Sequence, residues 1–174
     1  GGSVEWAGPV LLNRGASIGV DAGTFTLSGS LAGTATLPFS KDGAGELVLD
    51  GNNTFRSGMF VNAGTVTLTN NHSLGTQTGL VAVRDGATLA MRPGLTFHAP
   101  LDLMGNGFGG AGALRSLGGV SRWDGAVTLR STEVTIQVDS GQMTFGGRVN
   151  SLAAFRHLYK TGTGTLSIGG VTYV

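Results

Sequence analysis

The sequence predicts an all-β fold, a right-handed parallel β-helix (β-solenoid) of about eight coils with roughly 20–22 residues each. Three observations lead to this prediction: short runs of alternating apolar residues, Gly- and Asn-rich turns between the runs, and recurrence of both along the chain. With 174 residues, 40% of them hydrophobic, the chain is long enough for one domain with a buried core. Residues 1–174 are therefore expected to form a single solenoid segment.

The apolar runs alternate with a period of two residues, which is typical of half-buried strands. Between them lie "DGNN", "TNN", "RDG", "RPG", "GNGFGG" and "TGTG", clusters in which Gly and Asn adopt positive φ at low cost. Gly64 and Gly86 are expected to be among these positive-φ positions. Gly recurs too often for long helices, and the one stretch with helical spacing, residues 151–160, is interpreted as a coil with an irregular corner. The alternating runs include Leu47/Leu49, Val66/Leu68, Leu101/Leu103, Val127/Leu129, Val134/Ile136/Val138 and Leu166/Ile168.

A long repeat runs through the chain. "WAGPVLL" returns as "WDGAVTL" after 117 residues, "VDAGTFTL" as "VDSGQMTF" after 118, and "KDGAGELVLDG" as "KTGTGTLSIGG" after 119. Three matches in the same order define a module of about 118 residues, with residues 1–50 recurring at 118–169.

A shorter rhythm lies inside this module. Val20, Val61 and Val83 each begin a similar stretch of a polar turn, a Gly and an alternating run, and the first interval between them is nearly twice as long as the second. These intervals correspond to two coils and one coil of a solenoid. An antiparallel sandwich is the alternative fold, but it does not require a near-constant coil length, whereas stacked coils do.

Composition and charge exclude several classes of function. The 11 basic and 10 acidic residues give a net charge of +1 and are scattered, which predicts no nucleic-acid partner and no attraction to an anionic membrane. Cysteine is absent, so no disulfide framework or zinc-thiolate site is expected. No stretch approaches the ~20 apolar residues of a membrane span, and the chain begins without Met or a signal peptide. We expect an excerpt from a longer protein that does not itself insert into a membrane.

Two short motifs resemble catalytic or cofactor sites. "GASIG" at residues 15–19 matches the G-x-S-x-G nucleophile elbow with Ser17 as nucleophile, but a strand and a turn follow it instead of a helix. "GNGFGG" at residues 105–110 matches the dinucleotide pattern G-x-G-x-x-G, with Asp124 as the acidic partner, but no helix that could hold a pyrophosphate follows. Both are interpreted as turns of a solenoid.

The acidic residues do not form a recognisable catalytic pair. Glycan-cleaving β-helix enzymes need clustered carboxylates, whereas here the aspartates sit mostly in turns beside Gly and form no D-x-D or D-D pair. The aspartates meant are Asp21, Asp42, Asp50, Asp85, Asp124 and Asp139, six of the seven in the chain.

The histidines and tryptophans are also interpreted as structural. His72, His98 and His157 have no histidine partner at metal-ligand spacing. Trp6 and Trp123 occupy equivalent positions of the long module and are expected to pack in the core, with a sugar-binding platform as the alternative. The sequence thus predicts no catalytic, cofactor-binding or metal-ligating residue, no cofactor and no enzymatic activity.

The stretch from Lys41 to Leu68 resembles the passenger-associated transport repeat of bacterial autotransporters. The pattern begins with a lysine and two spaced glycines, continues through an alternating strand and Gly-Asn-Asn-Thr-aromatic, and ends in Val-Asn-x-Gly-Thr-hydrophobic-Thr-Leu. The matching residues are Lys41, Gly43, Gly45, Leu47, Leu49, Gly51, Asn52, Asn53, Thr54, Phe55, Gly58, Val61, Asn62, Gly64, Thr65, Val66, Thr67 and Leu68. After Gly170 the chain keeps only Thr172 and Tyr173 of this pattern.

The resemblance implies a passenger segment that is secreted or displayed on the surface of a Gram-negative bacterium. It implies a stalk or spacer that supports export and presents a distal effector, with neighbouring passenger coils as its partners. An adhesive surface, self-associating end to end or binding host or matrix glycans, is the alternative. A glycan-active enzyme is the third and weakest interpretation.

Overall fold

The chain folds as a β-solenoid, as predicted from the sequence. The computed structural model describes residues 2–34, 36–151, 157–169 and 172–173, and its strands pair in parallel throughout this part of the chain. They stack as about seven turns with three sides each. Among the described residues, the 3-10 turn Phe108–Gly110 is the helical element, and no helix there has the length and apolar character to cross a membrane.

The first side, side A, is the longest ladder. It consists of β1 (Ser3–Trp6), β4 (Thr24–Leu27), β7 (Glu46–Leu49), β9 (Gly64–Leu68), β11 (Ala87–Met91), β14 (Leu114–Ser116), the second half of β16 (Val127–Val138) and β19 (His157–Thr161).

One column of directly stacked residues on side A shows how many residues each turn contains. The shortest step lies between Leu47 and Val66, and the longest lies between Leu89 and Leu114. The column has seven steps between residues 4 and 160, and several of these turns are longer than the 20–22 residues that the sequence spacing predicts. Its members are Val4, Phe25, Leu47, Val66, Leu89, Leu114, Ile136 and Lys160.

The other two sides complete each turn. Following side A, side B contains β2 (Val10–Leu11), β5 (Leu31–Ala32), β12 (Thr96–Phe97), β15 (Val120–Trp123), β17 (Gln142–Phe145) and β20 (Thr165–Ile168). Side C contains β3 (Ser17–Gly19), β6 (Phe39–Asp42), β8 (Met59–Val61), β10 (Val81–Val83), β13 (Leu101–Gly105), the first half of β16, β18 (Val149–Ser151) and β21 (Thr172–Tyr173). The chain therefore runs from side C to side A to side B, and in two turns, at residues 50–58 and 69–80, the side B position is taken by a segment without a strand.

The apolar residues of the three sides meet along the axis of the solenoid. Leu47, Val66 and Leu89 are fully buried on side A, and each packs on the turn above and the turn below. Aromatic residues fill the side B region, where the rings of Phe97 and Trp123 lie 5.3 Å apart between centroids. Because each turn buries its apolar face on its neighbours, the core is continuous along the stack.

The glycines of the side C to side A corner have the backbone conformation predicted from the sequence. Gly64 has φ +65° and Gly86 has φ +77°, so the expectation of positive φ at both is confirmed. A Cβ at Gly64 would lie 2.4 Å from the carbonyl oxygen of Gly45 in the turn below, whereas a Cβ at Gly86 would meet nothing within 4 Å. Gly64 is thus required by stacking as well as by φ.

The two copies of the long sequence repeat lie on different sides of the solenoid. Strand β6 lies on side C, but its counterpart after about 118 residues, β19, lies on side A. Likewise β4 lies on side A and its counterpart β17 lies on side B. Five successive pairings along side C connect Ile18 with Leu129. The module of about 118 residues that starts at Ile18 ends on the following side, side A. The module therefore spans five turns and one side.

Local contacts are nevertheless reproduced in the second copy. Gly45 donates its backbone N–H to Val20 O at 2.7 Å, and Gly164 donates to Val138 O at 2.9 Å. The repeated motif therefore specifies the geometry of a corner, and it does so at either of two corners of the turn.

The tryptophans differ from the expectation of equivalent core positions. Trp123 is fully buried on side B and donates from Nε1 to Ala99 O at 2.7 Å, but Trp6 lies on side A and is 53% exposed. The expectation of burial was wrong for Trp6. It stacks on Leu27 in a column whose other members are buried, but β1 is the end strand of the side A ladder, so β4 covers Trp6 from one side only. Residues 152–156 of the stretch with helical spacing lie outside the described residues, and His157–Thr161 is strand β19.

Candidate functional site

The corner between β6 and β7 is organised around a buried lysine. Lys41 points inward in a column of apolar residues between Ile18 and Val61, and it is fully buried. Its Nζ donates to Asp42 O at 3.0 Å, Gly43 O at 2.7 Å and Ala63 O at 3.2 Å. The ammonium therefore satisfies carbonyl groups of two successive turns at the place where the chain bends.

Burial lowers the pKa of Lys41, and the nearby carboxylates of Asp42 and Asp21 act in the opposite direction. A charged donor at hydrogen-bond distance from three carbonyl oxygens binds them more strongly than a neutral donor would. The two glycines that follow the lysine are needed because the next chain segment passes close by: a Cβ at Gly43 would lie 2.4 Å from Val20 O. Lysine and glycines together form one structural unit.

Ser17, the candidate nucleophile, belongs to this corner and has a structural partner. Its Oγ donates to Asp42 Oδ2 in the turn above, and Asn62 Nδ2 donates to the other oxygen of Asp42 at 2.9 Å. The hydrogen bond from Ser17, followed by that from Asn62, lowers the pKa of Asp42, although partial burial opposes them. The carboxylate that accepts from Ser17 has a lowered pKa and is therefore a weak base, and the hydrogen bond connects two successive turns.

The Gly-rich stretch at 105–110 forms a loop at the corner between β13 and β14. It continues into the 3-10 turn Phe108–Gly110, a turn of three residues with no helix behind it to bind a pyrophosphate. Asp124, its proposed acidic partner, lies on side B after β15 and accepts from Arg122 Nη2 at 2.7 Å. The structure does not bring the two together in one site.

Other titratable candidates are also dispersed. Asp139 accepts two hydrogen bonds from Arg115 and one from Gln137. Partial burial opposes the ionisation of Asp139, but the hydrogen bond from Arg115, that from Gln137 and the Arg115 charge outweigh it and lower the pKa. Within residues 2–34, 36–151 and 157–169, no group of three or more His, Asp or Glu side chains could hold a metal ion.

A groove on the outer face of side A is a concave feature that the sequence did not predict. It has a volume of about 580 Å³. Its floor is a column of directly stacked outward residues, Thr24, Glu46, Thr65 and Thr88. The column contains three inter-strand steps and is therefore about 14 Å long.

One wall of the groove comes from an unusually long corner. Residues 106–113 connect β13 and β14, and they carry Phe108, which is 44% exposed. The buried hydroxyl of Thr88 holds this loop: it accepts from Phe108 N at 2.9 Å and donates to Gly112 O at 2.8 Å. The equivalent corners before it are two to four residues long: 20–23, 43–45, 62–63 and 84–86.

Hydrogen bonds orient the carboxylate at the centre of the groove floor. Thr67 Oγ1 donates to Glu46 Oε1 at 2.5 Å, and Thr24 Oγ1 donates to Glu46 Oε2 at 3.3 Å. A carboxylate has about four acceptor positions, so Glu46 can still accept from a ligand. At the far end Arg115 faces the groove, with its charge paired to Asp139.

The stacked parallel turns and their lysine-glycine corners define the protein as a β-solenoid built from repeats. Residues 39–68, from β6 to the end of β9, match the model of the passenger-associated-transport-repeat, so this part of the chain is such a repeat. The resemblance noted in the sequence is thereby confirmed. The match contains the buried lysine, the corner glycines and Glu46. No curated protein and no solved structure matches the chain.

The repeat and the solenoid together fit a segment of an autotransporter passenger. Such a repeat implies a secreted or surface protein of a Gram-negative bacterium.

Proposed function

We propose that this segment is a stalk or spacer of an autotransporter passenger, which supports export and presents a more distal effector at or beyond the cell surface. The observation that carries the proposal is the uninterrupted side A ladder, in which seven steps connect residues 4 and 160. At about 4.8 Å a step, the ladder is about 34 Å long.

The way the turns stack supports a role in export. Each turn buries its apolar face on the preceding turn, so a chain that emerges from a pore can add turns one at a time. The chain contains no cysteine, so it can cross the periplasm unfolded without forming disulfides. Neighbouring passenger coils would continue the ladder at both ends of the segment.

A lengthened variant tests the spacer function. Residues 1–137 are followed by 20–174, which adds one module of about 118 residues at the equivalent positions Val20 and Val138. Five turns and one side correspond to about 25 Å, and solution scattering should show this increase in length with an unchanged cross-section. In the parent protein, an epitope tag at the distal end should remain displayed on the cells.

A matched control joins residues 1–137 to 31–174, which adds a segment of similar size but places the corner motif out of register. This control should misfold and fail to display the tag. A lengthened in-register variant that grows in width as much as in length would contradict the solenoid spacer. Loss of surface display despite correct folding would contradict the spacer function alone.

An adhesive surface is the second candidate function, and the groove on side A favours it, because a spacer needs no concave site. Self-association through the ends of the ladder is a further form of adhesion. A glycan-cleaving activity has weaker support, since Asp42, Asp124 and Asp139 each have a structural partner. The family and the fold together support a structural role over an enzymatic one.

A further inference from the structure

We infer that the groove on side A binds a neutral, hydroxyl-rich oligosaccharide, which lies along the solenoid axis over Glu46 and the threonine column and stacks on Phe108. This inference rests on the adhesive candidate function and adds to it a site and a class of ligand. It does not depend on the spacer function.

The loop that carries Phe108 is longer than the stacking of the turns requires. Residues 106–113 replace a corner that needs only two to four residues elsewhere on the same edge. Insertions of this kind in repeat proteins lie on one face, which is often the binding face. Here the insertion places a half-exposed aromatic ring beside a polar floor, and an exposed ring face is a suitable platform for the apolar face of a sugar.

The chemistry of the floor matches hydroxyl groups. Thr65 lies between Glu46 and Thr88, and its hydroxyl makes no hydrogen bond within the described residues. A threonine hydroxyl both donates and accepts, and the Glu46 carboxylate accepts only. Sugar hydroxyls can serve both kinds of group, whereas a purely cationic ligand would satisfy the carboxylate and leave the threonines unused.

Charge in the groove disfavours an acidic glycan. Asp21 and Glu46 line the groove, and the one lining cation among the described residues, Arg115, is already paired with Asp139. Sulfated or uronic-acid chains would bring negative charge towards two carboxylates. Arg122 and Arg130 pair with Asp124 and Asp102, and neither arginine lines the groove.

The position of the groove disfavours an extended peptide. Peptides are commonly bound by addition of a strand at a sheet edge, through main-chain hydrogen bonds. The floor of this groove is the outer face of β4, β7, β9 and β11, whose main-chain groups already pair with adjacent turns. The length of about 14 Å fits an elongated ligand rather than a single ring.

The experiment uses the 174-residue chain on an array of neutral gluco-, manno- and galacto-oligosaccharides, with heparin fragments and a lysine-rich peptide as competing classes. Hits are then titrated by calorimetry. Phe108→Ala should weaken binding of a neutral hit about five- to tenfold through loss of stacking. Thr65→Val, which keeps the shape of the side chain and removes its hydroxyl, should also weaken it, and Glu46→Gln should weaken it less because an acceptor remains.

Tyr159→Ala is the matched control, since Tyr159 is 46% exposed on side A outside the groove, and it should bind like the unmodified chain. Circular dichroism verifies that each variant is folded. A neutral hit that is insensitive to both Phe108→Ala and Thr65→Val would overturn the proposed site and leave the adhesive function standing. Preferred binding of heparin or of the basic peptide would overturn the ligand class. Absence of any glycan binding would overturn the proposed site and glycan adhesion, and would leave self-association as the remaining form of the adhesive function.

Discussion

A corner of the solenoid can need glycine for two reasons, a positive φ and the close backbone of the turn below, and comparing Gly64 with Gly86 separates them. Both have positive φ, but a Cβ at Gly64 would lie 2.4 Å from Gly45 O and 2.6 Å from Gly43 O, while a Cβ at Gly86 would meet open space. Alanine at Gly86 should therefore cost only the backbone term, about 1 kcal/mol in the free energy of unfolding. Alanine at Gly64 carries the same term and must also move the backbone of the turn below, which adds about 1–3 kcal/mol.

The assay is urea and thermal denaturation of Gly64→Ala and Gly86→Ala. For a chain of this size, about 1 kcal/mol corresponds to about 2–4 °C, so the two midpoints should differ by several degrees. Asparagine tolerates positive φ, and Gly86→Asn should be close to the unmodified protein, while Gly64→Asn should remain strongly destabilised. Equal destabilisation of the Gly64 and Gly86 variants would refute the conclusion that the backbone contact between turns requires Gly64.

Three further predictions follow from single contacts. Lys41→Met should lower the free energy of unfolding by about 2–3 kcal/mol in urea, because three carbonyls lose a charged donor; Lys160→Met, at an exposed lysine, should change it by less than about 0.5 kcal/mol. Because the pKa of Asp139 is lowered in the folded protein, its ionised carboxylate stabilises the fold above pH 3.8, and this stability is lost as the pH falls through the folded pKa. Asp139→Asn should therefore lose less stability in an acid titration than the unmodified protein. An acid transition unchanged by this substitution would contradict the role of the ion pair with Arg115. Trp123→Phe should cost about 2 kcal/mol through loss of the bond to Ala99 O, and a melting temperature equal to that of the unmodified chain would refute this.

The fold was predictable from the sequence because its determinants are local. Period-two alternation at Leu47/Leu49 and Val66/Leu68 and the turn glycine Gly64 each need only a few neighbouring residues to be recognised. The length of each turn was less predictable, because the corner at 106–113 lengthens one turn and sequence spacing does not show where a turn closes.

The groove was not predictable for a related reason. Thr24, Glu46, Thr65 and Thr88 follow one another at unequal intervals along the chain, and these unequal steps become a column only when the register of every turn is known. The signal that could have indicated the site was the length of "GNGFGGAG", which exceeds the other turns on that edge and contains one large apolar residue, Phe108. Burial of Lys41 was not predictable either. Lysine is rarely fully buried, and only the structure shows the carbonyl oxygens that accept hydrogen bonds from its ammonium group.

The offset of five turns and one side has a consequence for longer arrays of this module. Each successive copy would face a direction rotated by about 120° around the axis, so the copies would follow a threefold screw along the rod. A residue that faces outward in one copy would face the same way again only in the fourth. A surface residue repeated in every copy would therefore face all three directions around the rod, and no one side of the rod would carry it alone.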